Sequence, residues 1–238
     1  MNKVERAVIV AAGKGERMKP LTLHTPKPLI SIHGKRFIDH VIQALHKNGV
    51  YEIYVVVGYL KEKFKDLPLQ YEGVQLIENP YYETCNNISS LFVARDHLCN
   101  AFITDADQMI YNTDILNPYY EKSGYNAVYT DGITNEWLMQ VKNDRVVSCN
   151  RNGGCGGWQL YSISRWSAED GAKLKQHLEE EFLQKKNTQI YWDDVVMFEH
   201  FAEYNLGVYP MQYSDIVEVD NFAELCSIDA SYEVEYEK

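Results

Sequence analysis

Apolar positions along the chain come in short runs, each closed by glycine, acids or a basic loop. Residues 4–12 are rich in β-branched side chains, as in a buried strand, and Gly13-Lys14-Gly15-Glu16-Arg17 follows at once. Between residues 36 and 48, Phe37, Val41, Ile42 and Leu45 recur at helical spacing, and Gly49 stops the segment. Residues 52–58 and 74–79 read as strands and residues 87–98 as a helix. Residues 101–104 read as a fourth strand running into Asp105-Ala106-Asp107. Strands alternating with helices, with glycine-rich or acidic loops at strand C-terminal ends, predict an open α/β sheet.

The texture changes near residue 125. Residues 126–130, 136–141 and 145–149 read as short strands joined by turns such as Lys142-Asn143-Asp144. Residues 153–157 (GGCGG) predict a flexible loop, residues 168–186 a charged amphipathic helix, and residues 206–219 two more strand-like runs. No repeat or linker interrupts the chain. One domain over 1–238 is expected, with a first half 1–124 and a β-rich second half 125–238.

Composition narrows this picture. The 238 residues are 45% apolar and 13% aromatic, enough for a full core and inconsistent with disorder. The five cysteines are odd in number and lack CxxC spacing, which predicts reduced, mostly buried thiols rather than a disulfide framework or zinc knuckle. No run approaches the ~18 apolar residues of a membrane span, so a cytoplasmic location is expected. The net charge of −11 disfavours wrapping nucleic acid. Its distribution is uneven. Residues 1–36 hold eight bases against two acids, a charge of +6, which leaves −17 for residues 37–238. A basic N-terminal segment in an acidic protein suits a small polyanion.

Five motifs carry candidate chemistry. The glycine loop after the first strand can bring backbone N–H groups close to phosphates. It begins like GxGxxG but has Met18 in the sixth place, and it lacks the GK[ST] ending of a Walker loop. Thr25-Pro26-Lys27-Pro28-Leu29 holds a lysine between two prolines on a stiff loop. Asp105 and Asp107, at a strand end, suit either a hard divalent cation or a turn cap. Thr134-Asn135-Glu136-Trp137 and Tyr191-Trp192-Asp193-Asp194 set aromatic rings beside carboxylates, which suits an ammonium group; a packed tryptophan and a helix cap are their ordinary readings.

The combination A-A-G-x-G-x-R followed by P-K-P-L resembles the signature of nucleotidyltransferases that make activated sugars and alcohols. With V-G-Y-L-K-E (57–62), N-N-I-S-S-L (86–91), D-A-D (105–107), T-N-E-W (134–137) and Y-W-D-D (191–194) in family order, the chain resembles the bacterial CTP:phosphocholine cytidylyltransferases over nearly its whole length.

The resemblance implies a Rossmann-like three-layer α/β/α fold with a mixed, mainly parallel sheet, a CTP-binding first half and an acceptor-binding second half. Ala12, Gly13, Lys14, Gly15 and Arg17 would hold the CTP phosphates. Lys27, Arg17 and Asp107 would act at the reacting centre. Tyr59, Asn86, Asn87 and Ser90 would lie near cytosine and ribose. Asp107 and Asp193 would hold Mg²⁺, and Glu136, Trp137, Tyr191 and Trp192 would receive the acceptor's ammonium end.

The implied reaction is transfer of CMP from CTP to a small phosphorylated amino-alcohol or aminophosphonate. Phosphocholine comes first, then 2-aminoethylphosphonate or phosphoethanolamine. A sugar-1-phosphate nucleotidyltransferase shares the first two motifs but would need polar residues in place of Trp137, Tyr191 and Trp192. Neither nucleic acid nor membrane is an expected partner, and the oligomeric state is open. Two positions depart from the pattern: the GGCGG stretch, and Asp194 where the family carries a neutral amide, which leaves Asp193 and Asp194 both as metal candidates.

Overall fold

In the computed structural model, which describes residues 1–236, four parallel strands set the frame. They are β1 (Arg6–Ala11), β2 (Glu52–Val57), β3 (Val74–Glu78) and β4 (Ala101–Asp105). β1 lies between β2 and β4, and β3 pairs with β2. Ala7, Val8 and Ile9 are fully buried, because a central parallel strand is covered on both faces. Ile9, Ile53 and Phe102 face one core with helix α1 (Phe37–Lys47), while Val8, Val56 and Ile103 face another with α2 (Ile88–Val93) and α3 (Ala168–Glu179). These are the three expected layers.

Register matters for function here. Val10 lies opposite both Val56 and Asp105, so β1, β2 and β4 end at one edge. The Ala106 N–H donates to the Val10 carbonyl at 3.2 Å, which seats the acidic loop against the glycine loop.

Helix α1 starts on a tight cap. Asp39 accepts from the Arg36 backbone N–H at 3.1 Å, from the Arg36 guanidinium at 2.7 Å and from the Tyr71 hydroxyl at 2.9 Å. Burial alone would raise its pKa, but the bonds from Arg36 and Tyr71 prevail and hold it below the ordinary Asp value. Asp39→Ala is expected to cost about 1–3 kcal/mol in urea unfolding at neutral pH. Because the folded pKa is depressed, this contribution is complete above the ordinary Asp range, and the wild-type advantage fades as pH falls through the lowered value.

The remaining described strands longer than two residues are β5 (Gln108–Ile110), β6 (Gly124–Thr130), β7 (Leu138–Lys142), β8 (Arg145–Asn150), β9 (Gly157–Trp166), β10 (Gly207–Pro210) and β11 (Ile216–Glu218). All but β5 and β11 join the frame in one nine-stranded sheet, in the order β8-β7-β9-β4-β1-β2-β3, with β6 on β9 and β10 on β6. β5 and β11 pair with each other.

β9 joins the halves antiparallel to β4 and has no counterpart in the sequence reading. Its inner end carries Ser164 and Arg165, which break the apolar pattern yet are buried. Arg165 donates to Asn126 Oδ1 at 2.7 Å and to the Ile115 carbonyl at 3.0 Å.

The predicted helix 87–98 is shorter, with α2 ending at Val93 and one 3₁₀ turn following at Arg95–His97. The predicted helix 168–186 is α-helical to Glu179 and then widens into a π turn over Glu180–Gln184. Two further helices, α4 (Phe222–Ile228) and α5 (Ser231–Tyr236), follow β11. The thiols are free, but only Cys226 is buried; Cys155 is exposed and the other three are half-buried. No described helix is long and apolar enough to cross a membrane.

Candidate active site

A cavity of about 520 Å³ opens where β1 and β4 end. Its floor is the glycine loop, shaped by Gly15 in the left-handed region at φ 61°, where a Cβ would stand 2.9 Å from Thr22 Cγ2. The Thr22 hydroxyl donates to the Gly15 carbonyl at 2.9 Å. Met18, in the place of a third glycine, is fully buried and anchors the loop to the core.

Of the residues expected at the nucleotide, Ala12, Gly13, Gly15, Arg17, Asn86, Asn87 and Ser90 line this cavity. Lys14 and Tyr59 do not. Lys14 reaches toward Glu83 at 3.9 Å. Tyr59 braces the loop from behind, its N–H donating to the Ala12 carbonyl at 3.1 Å and its hydroxyl to the Thr22 carbonyl at 2.7 Å.

Acids and bases interleave at the cavity's edge. Lys27, 8% exposed, sets Nζ 2.6 Å from Asp107 and 3.5 Å from Asp220. Burial disfavours its charge, but Asp107, Asp220 and Glu218 outweigh that and hold its pKa above the ordinary lysine value. Arg17 bonds Asp220 at 2.8 Å. Burial, helped by the charge of Asp107, pushes Asp105 up to about 7.

Carboxylate oxygens of Asp107, Glu218 and Asp220 lie within 4.8 Å of one another, and Asp107 Oδ1 is buried without a partner. An orphaned carboxylate oxygen in a cluster of hard oxygen donors fits Mg²⁺.

Asp193, the other expected Mg²⁺ ligand, also has an Oδ1 buried without a partner. Asp193 is not in this cluster; it is buried beside Tyr125 and Asp105, and burial, then Asp105, pushes its pKa well up. Asp194 is already engaged, accepting from the Tyr191 N–H at 2.8 Å and from Arg151 at 2.7 Å.

Glu218 and Asp220 escaped sequence reading because nothing near them signals chemistry. They reach the site because β11 pairs antiparallel with β5, with Glu218 opposite Gln108 and hence next to Asp107.

Of the four residues expected at the acceptor, only Tyr191 lines the cavity, and it is half exposed. Trp137 meets it edge to face, ring centres 6.2 Å apart at 88°, and Phe198 backs Trp137 at 5.3 Å. Asn87 ties these residues to the cavity lining, its Oδ1 accepting the Trp192 backbone N–H at 2.9 Å.

The Trp192 ring is not available to a ligand. It is 1% exposed and packs in the core against Tyr125 and Trp166. Glu136 is exposed on the loop before β7. The GGCGG stretch lies against that loop: Thr134 and Gly154 exchange backbone hydrogen bonds at 2.9 Å, and a Cβ on Gly153 would stand 1.9 Å from the Thr134 carbonyl. Close backbone approach explains Gly153.

Comparison with known proteins gives the family and the fold. The model of the MobA-like NTP transferase domain matches residues 7–180. The chain is 39% identical to a 2-aminoethylphosphonate cytidylyltransferase of Lancefieldella rimae, over 95% of this chain and 92% of that one. It is 32% identical to a choline-phosphate cytidylyltransferase of Streptococcus pneumoniae, over 91% and 93%. Its fold superposes on the structure of the CTP:phosphocholine cytidylyltransferase of Streptococcus pneumoniae with a TM-score of 0.88 at 30% identity, covering 96% of this chain and 99% of that one.

Proposed function

Since the chain belongs to the MobA-like NTP transferase domain family and is a cytidylyltransferase similar to the bacterial CTP:phosphocholine enzymes, we propose that its acceptor is 2-aminoethylphosphonate. The observation that carries this choice is the make-up of the acceptor side. One pair of rings, Trp137 and Tyr191, is available on this side, with Glu136 next to Trp137 in the chain and Asp194 bonded to the Tyr191 N–H. A primary ammonium needs hydrogen-bond acceptors, whereas a quaternary one needs aromatic faces on several sides. The Arg151 guanidinium also takes up room over Trp137 and the Phe198 behind it, 3.8 Å from the Phe198 centre and 5.9 Å from that of Trp137. The relative from Lancefieldella rimae supports the choice. Phosphocholine is the second reading, favoured by the right-angled Trp137–Tyr191 pair.

In the proposed reaction an oxygen of the acceptor's phosphonate attacks the α-phosphorus of CTP. A new P–O–P bond forms as the Pα–O bond to the leaving group breaks, and pyrophosphate departs with its electron pair. The attacking oxygen is already anionic near neutral pH, so no protein base is required. The chain's work is positioning and charge stabilisation. Backbone N–H groups of residues 12–17 cradle the phosphates, and Lys27 and Arg17 neutralise charge at the reacting centre. Asn86, Asn87 and Ser90 hold the nucleoside, and Trp137 with Tyr191 receives the ammonium end. Asp107, Glu218 and Asp220 would hold Mg²⁺, which supplies positive charge at the phosphates when bound.

The test measures pyrophosphate release with CTP, Mg²⁺ and each acceptor in turn. kcat/KM for 2-aminoethylphosphonate is expected to exceed that for phosphocholine and for phosphoethanolamine by tenfold or more. A phosphocholine value equal to or above it overturns the acceptor assignment and leaves cytidylyl transfer standing.

A further inference from the structure

The two rings of the acceptor side come from separate segments of the chain, so contacts between those segments must set their angle. Trp137 directly precedes β7, and Tyr191 directly precedes the helical turn Trp192–Asp194. One ion pair joins the two neighbourhoods, and the chemistry of the transfer makes no use of it. Arg151, the first residue after β8, places Nη2 2.6 Å and Nε 2.7 Å from Asp194 Oδ1.

Both ends of the pair are held. Asp194 is 4% exposed, and its other oxygen, Oδ2, accepts the Tyr191 N–H at 2.8 Å. The Asp194 N–H donates in turn to the Tyr191 carbonyl at 3.1 Å, so both backbone groups of Tyr191 are bonded to residue 194. Among the described residues, no cation other than Arg151 is paired with Asp194. At the other end, the guanidinium lies over Phe198, which in turn backs Trp137. The loop that follows Arg151 is bonded to the loop that precedes Trp137, through Gly154 and Thr134. A closed circuit results: Arg151 to Asp194, Asp194 to Tyr191, Tyr191 to Trp137, Trp137 to Phe198, and Phe198 back to Arg151.

We infer that Arg151 is a positioning residue for the acceptor: acting through Asp194, it fixes Tyr191 at the cavity rim and sets its angle to Trp137. The inference rests on the reading of these two rings as the acceptor side. Its physical basis is the cost of a buried charge. A carboxylate this well covered keeps its place only while a cation satisfies it. A planar guanidinium that also stacks on a ring does so with little freedom left to lose.

Without the guanidinium, Asp194 must turn toward water, and Oδ2 then leaves the Tyr191 N–H. The half-exposed Tyr191 ring would keep only its edge-to-face contact with Trp137. Trp192 stays in place, because its ring lies in the core and its N–H is bonded to Asn87. The disturbance is therefore confined to the ring that meets the acceptor, and the glycine loop and Lys27 are spared.

The experiment measures initial rates for Arg151→Met, Asp194→Asn and the combined variant, with CTP and acceptor varied in turn. The acceptor is the one with the highest kcat/KM on the wild type, so an error in the acceptor assignment does not enter. Arg151→Met is expected to raise the acceptor KM about tenfold, with the CTP KM within about twofold and kcat within about threefold. Asp194→Asn alone should raise the acceptor KM too, since the amide oxygen can face the Tyr191 N–H or Arg151 but not both. In the combined variant the amide oxygen keeps the Tyr191 N–H and no charge is left unpaired. Its acceptor KM should return to within about threefold of the wild type.

An acceptor KM less than about threefold above the wild type in Arg151→Met overturns the inference. So does a fall, which would mean that the guanidinium only repels the ammonium. A combined variant no better than Arg151→Met overturns it as well, since removing a second charge does not repair a merely structural loss. A CTP KM that rises as much as the acceptor KM does the same. If circular dichroism shows Arg151→Met unfolded, Arg151→Lys decides, because lysine keeps the charge and gives up the fork. A rise of about threefold or more in the acceptor KM, with the CTP KM unchanged, supports the inference, and an unchanged acceptor KM refutes it.

Discussion

Asp107→Asn should lower kcat by about a thousandfold, or about 4 kcal/mol of barrier, while thermal unfolding shifts by no more than a few degrees. Asparagine keeps the shape and still accepts from Lys27, so the fold is spared. What is lost is the charge of the carboxylate whose Oδ1 is buried without a partner. A variant within tenfold of wild-type kcat would remove Asp107 from the reacting centre. Two companion variants separate the possible second ligands. Asp220→Asn is expected to raise the Mg²⁺ concentration for half-maximal rate by tenfold or more. Asp193→Asn should leave it within a factor of about three, because its carboxyl is buried beside Tyr125 and Asp105, outside the cluster.

Lys27→Met should show two effects at once. Turnover falls by about 10²–10³-fold, the scale of losing one preorganised charge at a phosphoryl centre. Stability without Mg²⁺ also falls, because methionine fills the space but leaves Asp107 and Asp220 without the cation that lies 2.6 and 3.5 Å from them. Removing one partner of a nearly buried pair costs up to about 3 kcal/mol, or roughly 6–12 °C in Tm for a chain of this size. Mg²⁺ should restore more of the Tm in the variant than it adds to the wild type. Equal Mg²⁺ effects on the two chains would mean that Lys27 and the metal do not share these acids.

Legibility in the sequence followed the range of the interactions. The frame strands β1, β2, β3 and β4 and helix α1 were readable because each is a local apolar pattern with a local stop signal. β9 was not, because Ser164 and Arg165 are polar and become core residues only through partners on β4, β6 and the segment near Ile115. The site divided in the same way. The glycine loop, Lys27 and Asp107 sit in compact motifs. Trp192 occupies a motif and still belongs to the core, since side chains around a helix start diverge and only Tyr191 turns toward the cavity.

By itself the sequence determined a basic, glycine-looped N-terminal segment, an α/β frame to hold it, and a set of motifs narrow enough to imply cytidylyl transfer. These are local properties: periodicity, loop glycines, and the +6 charge of residues 1–36 within a chain of −11. Tertiary structure alone decided which acids meet Asp107 and that Tyr59 braces the loop rather than lining the cavity. The reason is that strand register and helix packing bring remote residues to within a few ångströms, as the pairing of Glu218 with Gln108 does here, and no spacing along the chain encodes that contact.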